Sequence, residues 1–460
     1  MPVPADRLAS IVGESNLLTD PAAVEPYGRD ESSCPSHPPA AVVRPGSTEE
    51  VRRILRLAGE QGFAVTPRGL GTGLCGGAVP VQGGVVLSLE RMNRILEIDE
   101  SNLAVTVEPG VVLQDLHRAV EARGLFYPPD PASLESCSIG GNLAVNAGGP
   151  RAAKYGITRH YVVGMEMVLA GGEVVSYGGK VIKNTTGYSL PHFLVGSEGT
   201  LGVITRATLR LIPLPRERVD LLAPFASVGA AARAVGEIVL GKRVIPAAVE
   251  FMDRASLRAS ATHLGRELPH LDAAAHLLVQ LDGNHPAEVQ AQAEQVAELC
   301  QEHGAWDVLV ATGSQTQERL WAARRAILEA VKRLSAHADF LDTAVPRAHI
   351  PEFLQRARQA ASHWSLELAN WGHAADGNIH LAVYCRDADP DWPRALGGLT
   401  AAIYSAALDL GGAIASEHGI GCLKRAYLGQ ALEPGAIEIM RRVKAAFDPR
   451  GLLNPGKVLP

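Results

Sequence analysis

Four residues in two short runs of this 460-residue chain carry the side chains best suited to metal and proton chemistry. The first run, Gly372-His373-Ala374-Ala375-Asp376-Gly377-Asn378-Ile379-His380, places two imidazoles on either side of Asp-Gly-Asn, which is turn chemistry. A hairpin folded there sets His373 beside His380, and two imidazoles with a carboxylate suit zinc, manganese or iron. A purely structural histidine pair is the alternative. Asp376 competes as a ligand, although its place in the turn accounts for it. The second run, Ala415-Ser416-Glu417-His418-Gly419-Ile420-Gly421, offers a carboxylate and an imidazole at adjacent positions among glycines. One of them can bind a metal while the other moves a proton. Arg324 and Arg325 follow Trp321 on an expected helix, where a guanidinium fork could take a substrate carboxylate bidentately. The alternative is a solvated basic face, and Arg347 is a weaker candidate of the same kind.

Elements must hold these residues in place. Leu366 to Asn370 and Ile379 to Tyr384 read as the strands of the histidine hairpin. From Pro213-Leu214-Pro215 onward, alanine-rich helical segments (Gly229 to Leu240, Glu288 to Glu302, Gln317 to Leu334) alternate with strands such as Leu277 to Leu281. The expected arrangement is an antiparallel sheet with helices on one face. Before that boundary the pattern is α+β with short strands: Ala40 to Val43, Phe63 to Thr66, Val85 to Leu89, Ile95 to Asp99 and Leu103 to Val107. Ser47-Thr48-Glu49-Glu50 caps a helix whose apolar positions Val51, Ile54, Leu55 and Ala58 recur at helical spacing. Val162 to Leu169 and Glu173 to Ser176 read as a hairpin. Residues 1–35 are expected as a helical lead-in with a proline-spotted end, the ordered domain starting after it.

The stretch Pro67 to Pro80, PRGLGTGLCGGAVP, is nearly bare of side chains, and its N–H groups suit a pyrophosphate. Gly71, Gly73 and Gly76 satisfy G-x-G-x-x-G, but Pro80, Gly83 and Gly84 leave no room for the helix that a nicotinamide-type fingerprint requires. A flavin-type pyrophosphate loop between two strands is favoured over that unit and over a flexible surface loop. A second glycine-rich turn, PPDPASLESCSIGGNLAVNAGGP from Pro128 to Pro150, implies a long, extended cofactor. A third small-residue turn runs from Gly196 to Gly202.

Composition excludes several classes. A net charge of −6 gives no general basic surface for nucleic acid. The six cysteines are scattered with no C-x-x-C, which argues against a zinc ribbon or an iron–sulfur cluster and fits reduced thiols. No uncharged apolar run approaches the roughly 20 residues of a spanning helix. The expectation is a cytoplasmic protein, at most peripheral at the inner face of the membrane.

Taken in order, RGLGTGLCGGAVP, SCSIGGNLAVNAGGPRAAKYG, VGSEGTLGVIT, GHAADGNIH, EHGIGCLK and LNPGKVL resemble one family from about residue 36 to the end. It is the FAD-linked 2-hydroxyacid dehydrogenases of the vanillyl-alcohol oxidase superfamily, which includes glycolate oxidase D subunits, D-lactate dehydrogenases and D-2-hydroxyglutarate dehydrogenases. The resemblance implies an α+β fold: a two-subdomain FAD-binding domain over 36–215, a cap of antiparallel sheet covered by helices over 216–425, and a segment 426–460 returning to the FAD domain. It implies FAD contacts from Pro67, Arg68, Gly69, Gly71, Thr72, Gly73, Gly76 and Gly77, from Pro131, Cys137, Gly140, Gly141, Asn146, Ala147 and Gly149, and from Glu198, Gly202, Ile204 and Asn454. The first loop lacks the histidine to which covalent members attach flavin, so non-covalent FAD is expected.

The resemblance further implies that His373, His380 and Glu417 bind a divalent ion, that His418 is the catalytic base and that Arg324 pairs with the substrate carboxylate. Leu328 and Ala382 stand where the hydroxyglutarate branch uses polar contacts, which points to a short or apolar 2-hydroxy acid such as glycolate or D-lactate. D-2-hydroxyglutarate oxidation is the alternative, as is a flavin-carrying subunit dependent on partner chains. The acceptor would be a quinone, a cytochrome, an electron-transfer flavoprotein or an iron–sulfur subunit, and the chain a homodimer or a complex subunit. Cys75 reads as a small loop residue.

Overall fold

The computed structural model describes residues 3–385 and 390–460; Met1 and Pro2 of the N-terminal lead-in lie outside them. The chain folds into two units, the first made of Met1–Gly148, Ile157–Leu214 and Glu417–Pro460, the second of Gly149–Gly156 and Pro215–Ser416.

The first unit holds two larger sheets. In one, Ala41–Val43 and Val65–Arg68 flank Val85–Ser88 in parallel, and Leu17–Leu18 adds an antiparallel edge. Parallel strands of one sheet need a crossover, and helix Thr48–Gln61 supplies it between the strands that end at Val43 and begin at Val65. Ser47 Oγ accepts from Glu50 N and Glu50 reaches back to Gly46 N, so the helix starts where the sequence predicts. Val51, Ile54, Leu55, Leu57 and Ala58 form its buried face. The segment before residue 36 belongs to this core as well, since Leu8 and Val12 of helix Ala5–Val12 are buried in it. The second sheet is antiparallel, in the order Ile95–Asp99, Ala104–Val107, Val203–Arg210, Val162–Val168, Val174–Gly178.

Two expectations need correction. Gly140 and Gly141 sit not in a turn but in helix Ile139–Val145, capped by Ser138 Oγ on Gly141 N. The small residues there serve packing, because Gly140 lies directly against Pro109. The expected helix Gln317 to Leu334 is two helices, Ser314–Arg325 and Ile327–Lys332, with Ala326 at the break.

The second unit is built on one seven-stranded antiparallel sheet: Leu309–Ala311, Glu217–Phe225, Ala275–Gly283, Ala248–Asp253, Glu367–His373, Asn378–Tyr384, Ala338–Ala344. The residues of Ala275–Gly283 before Gly283 are all buried, which requires cover on both sides of the sheet. Helix Arg254–Leu264 contributes Leu257 to one apolar cluster with Leu222, Met252 and Leu278, while helix Pro286–Glu302 lies against strands Glu217–Phe225 and Ala275–Gly283. Helices therefore cover both faces where one was expected. No helix among the described residues is long and apolar enough to cross a membrane.

Candidate active site

Strand register in the second unit explains the histidine pair. Glu367–His373 and Asn378–Tyr384 pair with Trp371 opposite His380, and side chains two apart share a face, so His373 and His380 project to the same side. Their rings meet edge to face with centroids 5.3 Å apart. The turn between them depends on Gly377, whose φ of 86° is left-handed and where a Cβ would collide with Val345 O. Asp376 takes the turn role foreseen for it, accepting from Asn378 N at 3.3 Å.

The outer neighbours of these two strands each set a carboxylate directly opposite a histidine. Glu250 lies across from His373, and Asp342 across from His380. His373 Nδ1 is 2.7 Å from Glu250 Oε1, and His380 Nδ1 is 3.5 Å from Asp342 Oδ1. Both carboxylates are wholly buried. Asp342 also accepts from Asn378 Nδ2 and Ser416 N. Glu250 Oε2 accepts from Arg324 Nε at 2.6 Å. Burial works against the Glu250 carboxylate, but Arg324 and His373 outweigh it and hold its pKa below the ordinary glutamate value. Arg324 is thus buried rather than on a solvated face. Arg325 pairs instead with Glu318, and Arg347 borders a cavity of about 560 Å³ that Asp376, Ala375 and Ile245 also line.

Glu250 and Asp342 were not foreseen. The available signal was a lone acid in an apolar strand, in Ala248-Val249-Glu250-Phe251-Met252 and in Phe340-Leu341-Asp342. A buried charge needs a partner, and antiparallel register supplies one.

In the first unit Glu417 and His418 lie together, with His418 Nε2 4.0 Å from Glu417 Oε1. Glu198 positions their loop, because its buried carboxylate accepts from Ile420 N at 2.8 Å and from Gly421 N at 2.7 Å. Burial pushes its pKa up. Asn454 Nδ2 donates to Gly77 O and Glu198 O, tying the terminal segment to two of the three small-residue loops. Leu453 bridges to Val65 beside it.

Other glycine-loop positions are equally fixed. Arg68 Nη1 donates to Arg29 O, and Gly73 O accepts from Glu31 N. Pro67 packs on Gly199, and Gly202 on Met167. Gly69 lies beside Ser138, while Gly71 adjoins the Arg68 guanidinium. Thr72 falls between Gly71 and Gly73, and Ile204 is on strand Val203–Arg210. Pro131 O accepts from Leu134 N, Cys137 O from Leu113 N and Ala147 O from Thr158 N. Asn146, at φ 58°, accepts from Arg159 N. Gly149 falls in the second unit.

Two buried amide atoms of the first unit, Asn454 Oδ1 and Asn142 Nδ2, have no hydrogen-bond partner among the described residues. Such atoms are rare. Beside bare glycine backbone, they suit a cofactor rich in donors and acceptors, and FAD fits. The histidine pair fits a divalent ion by donor chemistry, since a carboxylate behind each imidazole is the usual support of a ligating histidine.

Comparison with solved structures identifies the fold class. p-Cresol methylhydroxylase with substrate bound superposes with a TM-score of 0.82 at 18% identity, covering 98% of this chain and 95% of that one. 4-Ethylphenol oxidase from Gulosibacter chungangensis gives 0.78 at 21%, covering 99% and 97%. The architecture is that of the vanillyl-alcohol oxidase-type FAD enzymes.

Sequence comparison then fixes the family. Residues 39–178 match the FAD binding domain, and residues 214–458 match the C-terminal domain of FAD linked oxidases. Glycolate oxidase subunit GlcD of Bacillus subtilis is 40% identical over 98% of this chain and 96% of its own. D-lactate dehydrogenase of Archaeoglobus fulgidus is 41% identical over 91% of each. D-2-hydroxyglutarate dehydrogenase of Xanthomonas citri is 37% identical over 98% and 96%. The chain belongs to the FAD-linked oxidases, the family its motifs resemble, and is an oxidoreductase with an FAD-binding domain.

Proposed function

We propose that this protein oxidises a 2-hydroxy acid to the 2-oxo acid, with a short or apolar substrate of the glycolate or D-lactate type. The observation that carries the reading is the buried row Glu250, His373, His380, Asp342 across four adjacent strands, in a chain whose relatives are named for glycolate, D-lactate and D-2-hydroxyglutarate. His373, held through Nδ1 by Glu250, and His380, with the Asp342 carboxylate 3.5 Å away, would offer Nε2 to a divalent ion, and Glu417 would complete the set. When bound, that ion would supply a Lewis acid and the flavin a two-electron sink.

The chain's own residues do the rest. His418 accepts the proton of the substrate hydroxyl. Arg324 has committed Nε to Glu250, and its remaining N–H groups take the substrate carboxylate and fix the angle of approach. Leu328 and Ala382 belong to one apolar cluster with Trp371, a lining that disfavours a second, distal carboxylate. The small-residue loops and Asn454 hold non-covalent FAD, since no histidine lies between Pro67 and Pro80. Electrons leave to an acceptor, and the relatives named as subunits favour a partner chain for that step.

Anaerobic mixing of metal-supplemented holoprotein with D-lactate and glycolate should bleach the flavin absorbance. No bleaching by any of a panel of D-2-hydroxy acids would overturn the assignment. His373→Ala should keep the flavin and lose turnover; unchanged turnover would remove the histidine pair from the mechanism.

A further inference from the structure

Outside the residues used so far, the first unit brings two cysteines together from opposite ends of the chain. Cys34 Sγ and Cys422 Sγ are 3.1 Å apart although 388 residues separate them in sequence. Neither is accidental in its placement. Cys34 N donates to Ser32 Oγ, Ser32 Oγ donates to Asp30, and Glu31 N donates to Gly73 O, so this turn is bound to the first glycine loop. Cys422 N donates to Cys75 O at 3.1 Å, and Gly421 O accepts from Val458 N. Gly76 leaves the space for both sulfurs: its φ is 75°, and a Cβ there would run into Cys422 Sγ and the Cys34 side chain. Both cysteines are only partly buried, whereas the other four are buried.

We propose that Cys34 and Cys422 are a redox-controlled disulfide site, oxidised by hydrogen peroxide or a peroxide of similar size, which locks the Glu417–Cys422 loop to the segment beneath the first glycine loop. The bond needs the sulfurs to close by about 1 Å to the ~2.05 Å of a disulfide, a movement of two side chains. Cys422 is the attacking sulfur. The hydrogen bond from Cys34 and the nearby Lys457 ammonium lower its pKa to about 7 against the cost of burial, and the same pairing raises that of Cys34. The Cys422 thiolate attacks one peroxide oxygen, the O–O bond breaks, and a sulfenic acid and hydroxide result. Cys34 sulfur then displaces hydroxide from the sulfenyl sulfur and gives up its own proton. Two thiols and one peroxide become one disulfide and two waters, with two electrons passing from sulfur to oxygen. Cys75, wholly buried and pushed well above the ordinary thiol range by that burial, stays out of the exchange.

The loop that becomes tethered carries Glu417 and His418, four to five residues before Cys422. The inference concerns the thiols alone and stands or falls separately from the substrate reading.

The test is oxidation of the reduced full-length holoprotein with hydrogen peroxide near one equivalent, followed by mass measurement and non-reducing peptide mapping. The expected result is a loss of about 2 Da for two hydrogens, a peptide linking residues 34 and 422, and a fall in titratable thiols from six to four, all reversed by dithiothreitol. Cys34→Ser and Cys422→Ser should each abolish the 2 Da loss, whereas Cys300→Ser should keep it. At pH 7 iodoacetamide should label Cys422 about 10-fold faster than an ordinary thiol. A wild-type map without the 34–422 peptide overturns the proposal, whether the cysteines stay reduced, reach sulfinic acid or pair otherwise, and it needs no variant to fold.

Discussion

A carboxylate buried beneath an imidazole does two jobs: it fixes the ring and it fixes which nitrogen carries the proton. Glu250 does both for His373 while also neutralising Arg324, so two buried groups depend on one charge. Glu250→Gln keeps the shape and removes that charge. It should cost about 3 kcal/mol or more of unfolding free energy in urea titration, because Arg324 is left buried without its counter-charge. Affinity for added divalent metal should fall 10- to 100-fold in calorimetry, the usual loss when such a support is removed. A change under about 1 kcal/mol with unaltered metal affinity would show that the pair is ornamental. Elsewhere, His276 on strand Ala275–Gly283 is fully buried, and burial, opposed chiefly by the Pro269 backbone, lowers its pKa from 6.5 to about 4. The unfolded chain therefore binds a proton that the folded one refuses. The stability this represents is complete above about pH 6.5 and disappears as pH falls toward 4, a loss of about 3 kcal/mol. His276→Leu should flatten this limb of the stability–pH curve between 6.5 and 4.

At the scale of elements, the hairpin holding His373 and His380 is set by one backbone angle. Gly377→Ala places a Cβ against Val345 O at a left-handed φ, and should lower stability by about 2 kcal/mol or more. The same variant should separate the two rings, which paired histidine shifts in NMR spectra would register. The C-terminal helix Pro434–Phe447 ends on Asp448, whose carboxylate accepts from Leu452 N, Leu453 N and Lys444 Nζ while buried. Asp448→Ala strands these donors and should cost about 2–3 kcal/mol in thermal or urea unfolding; a near-neutral result would mean that water replaces the carboxylate. Helix Thr48–Gln61 and the histidine hairpin were legible because capping residues, turn residues and apolar period agree in a few consecutive positions. Gly140 and Gly141 were not, because two glycines read as turn until Pro109 is known to press against Gly140. Glu250 and Asp342 were hidden for a related reason: their meaning lies in which strand becomes the neighbour, and that pairing joins residues more than 30 positions apart.

Over the whole molecule, the N-terminal helix was legible but its place in the core was not, since Leu8 and Val12 meet their core partners only once the distant strands Val85–Ser88 and Val203–Arg210 are in place. A chain ending at Ser416 would lack Leu453 beside Val65, Asn454 on Gly77 and Lys457 on Val79. It should lose FAD retention on gel filtration, while the seven-stranded sheet, whose strands all precede residue 385, keeps its circular dichroism signature. Retained flavin would show that the terminal segment is dispensable to the cofactor loops.

Leu17–Leu18 and Leu453 border the same sheet, one near each end of the chain. During synthesis, the ribosome must therefore release the last strand partner before the flavin-side layer can close, although the layer's first residues emerged hundreds of codons earlier. Until then that half is an open edge waiting in the cell, and the seven-stranded half, drawn from one nearly continuous stretch, is free to fold first.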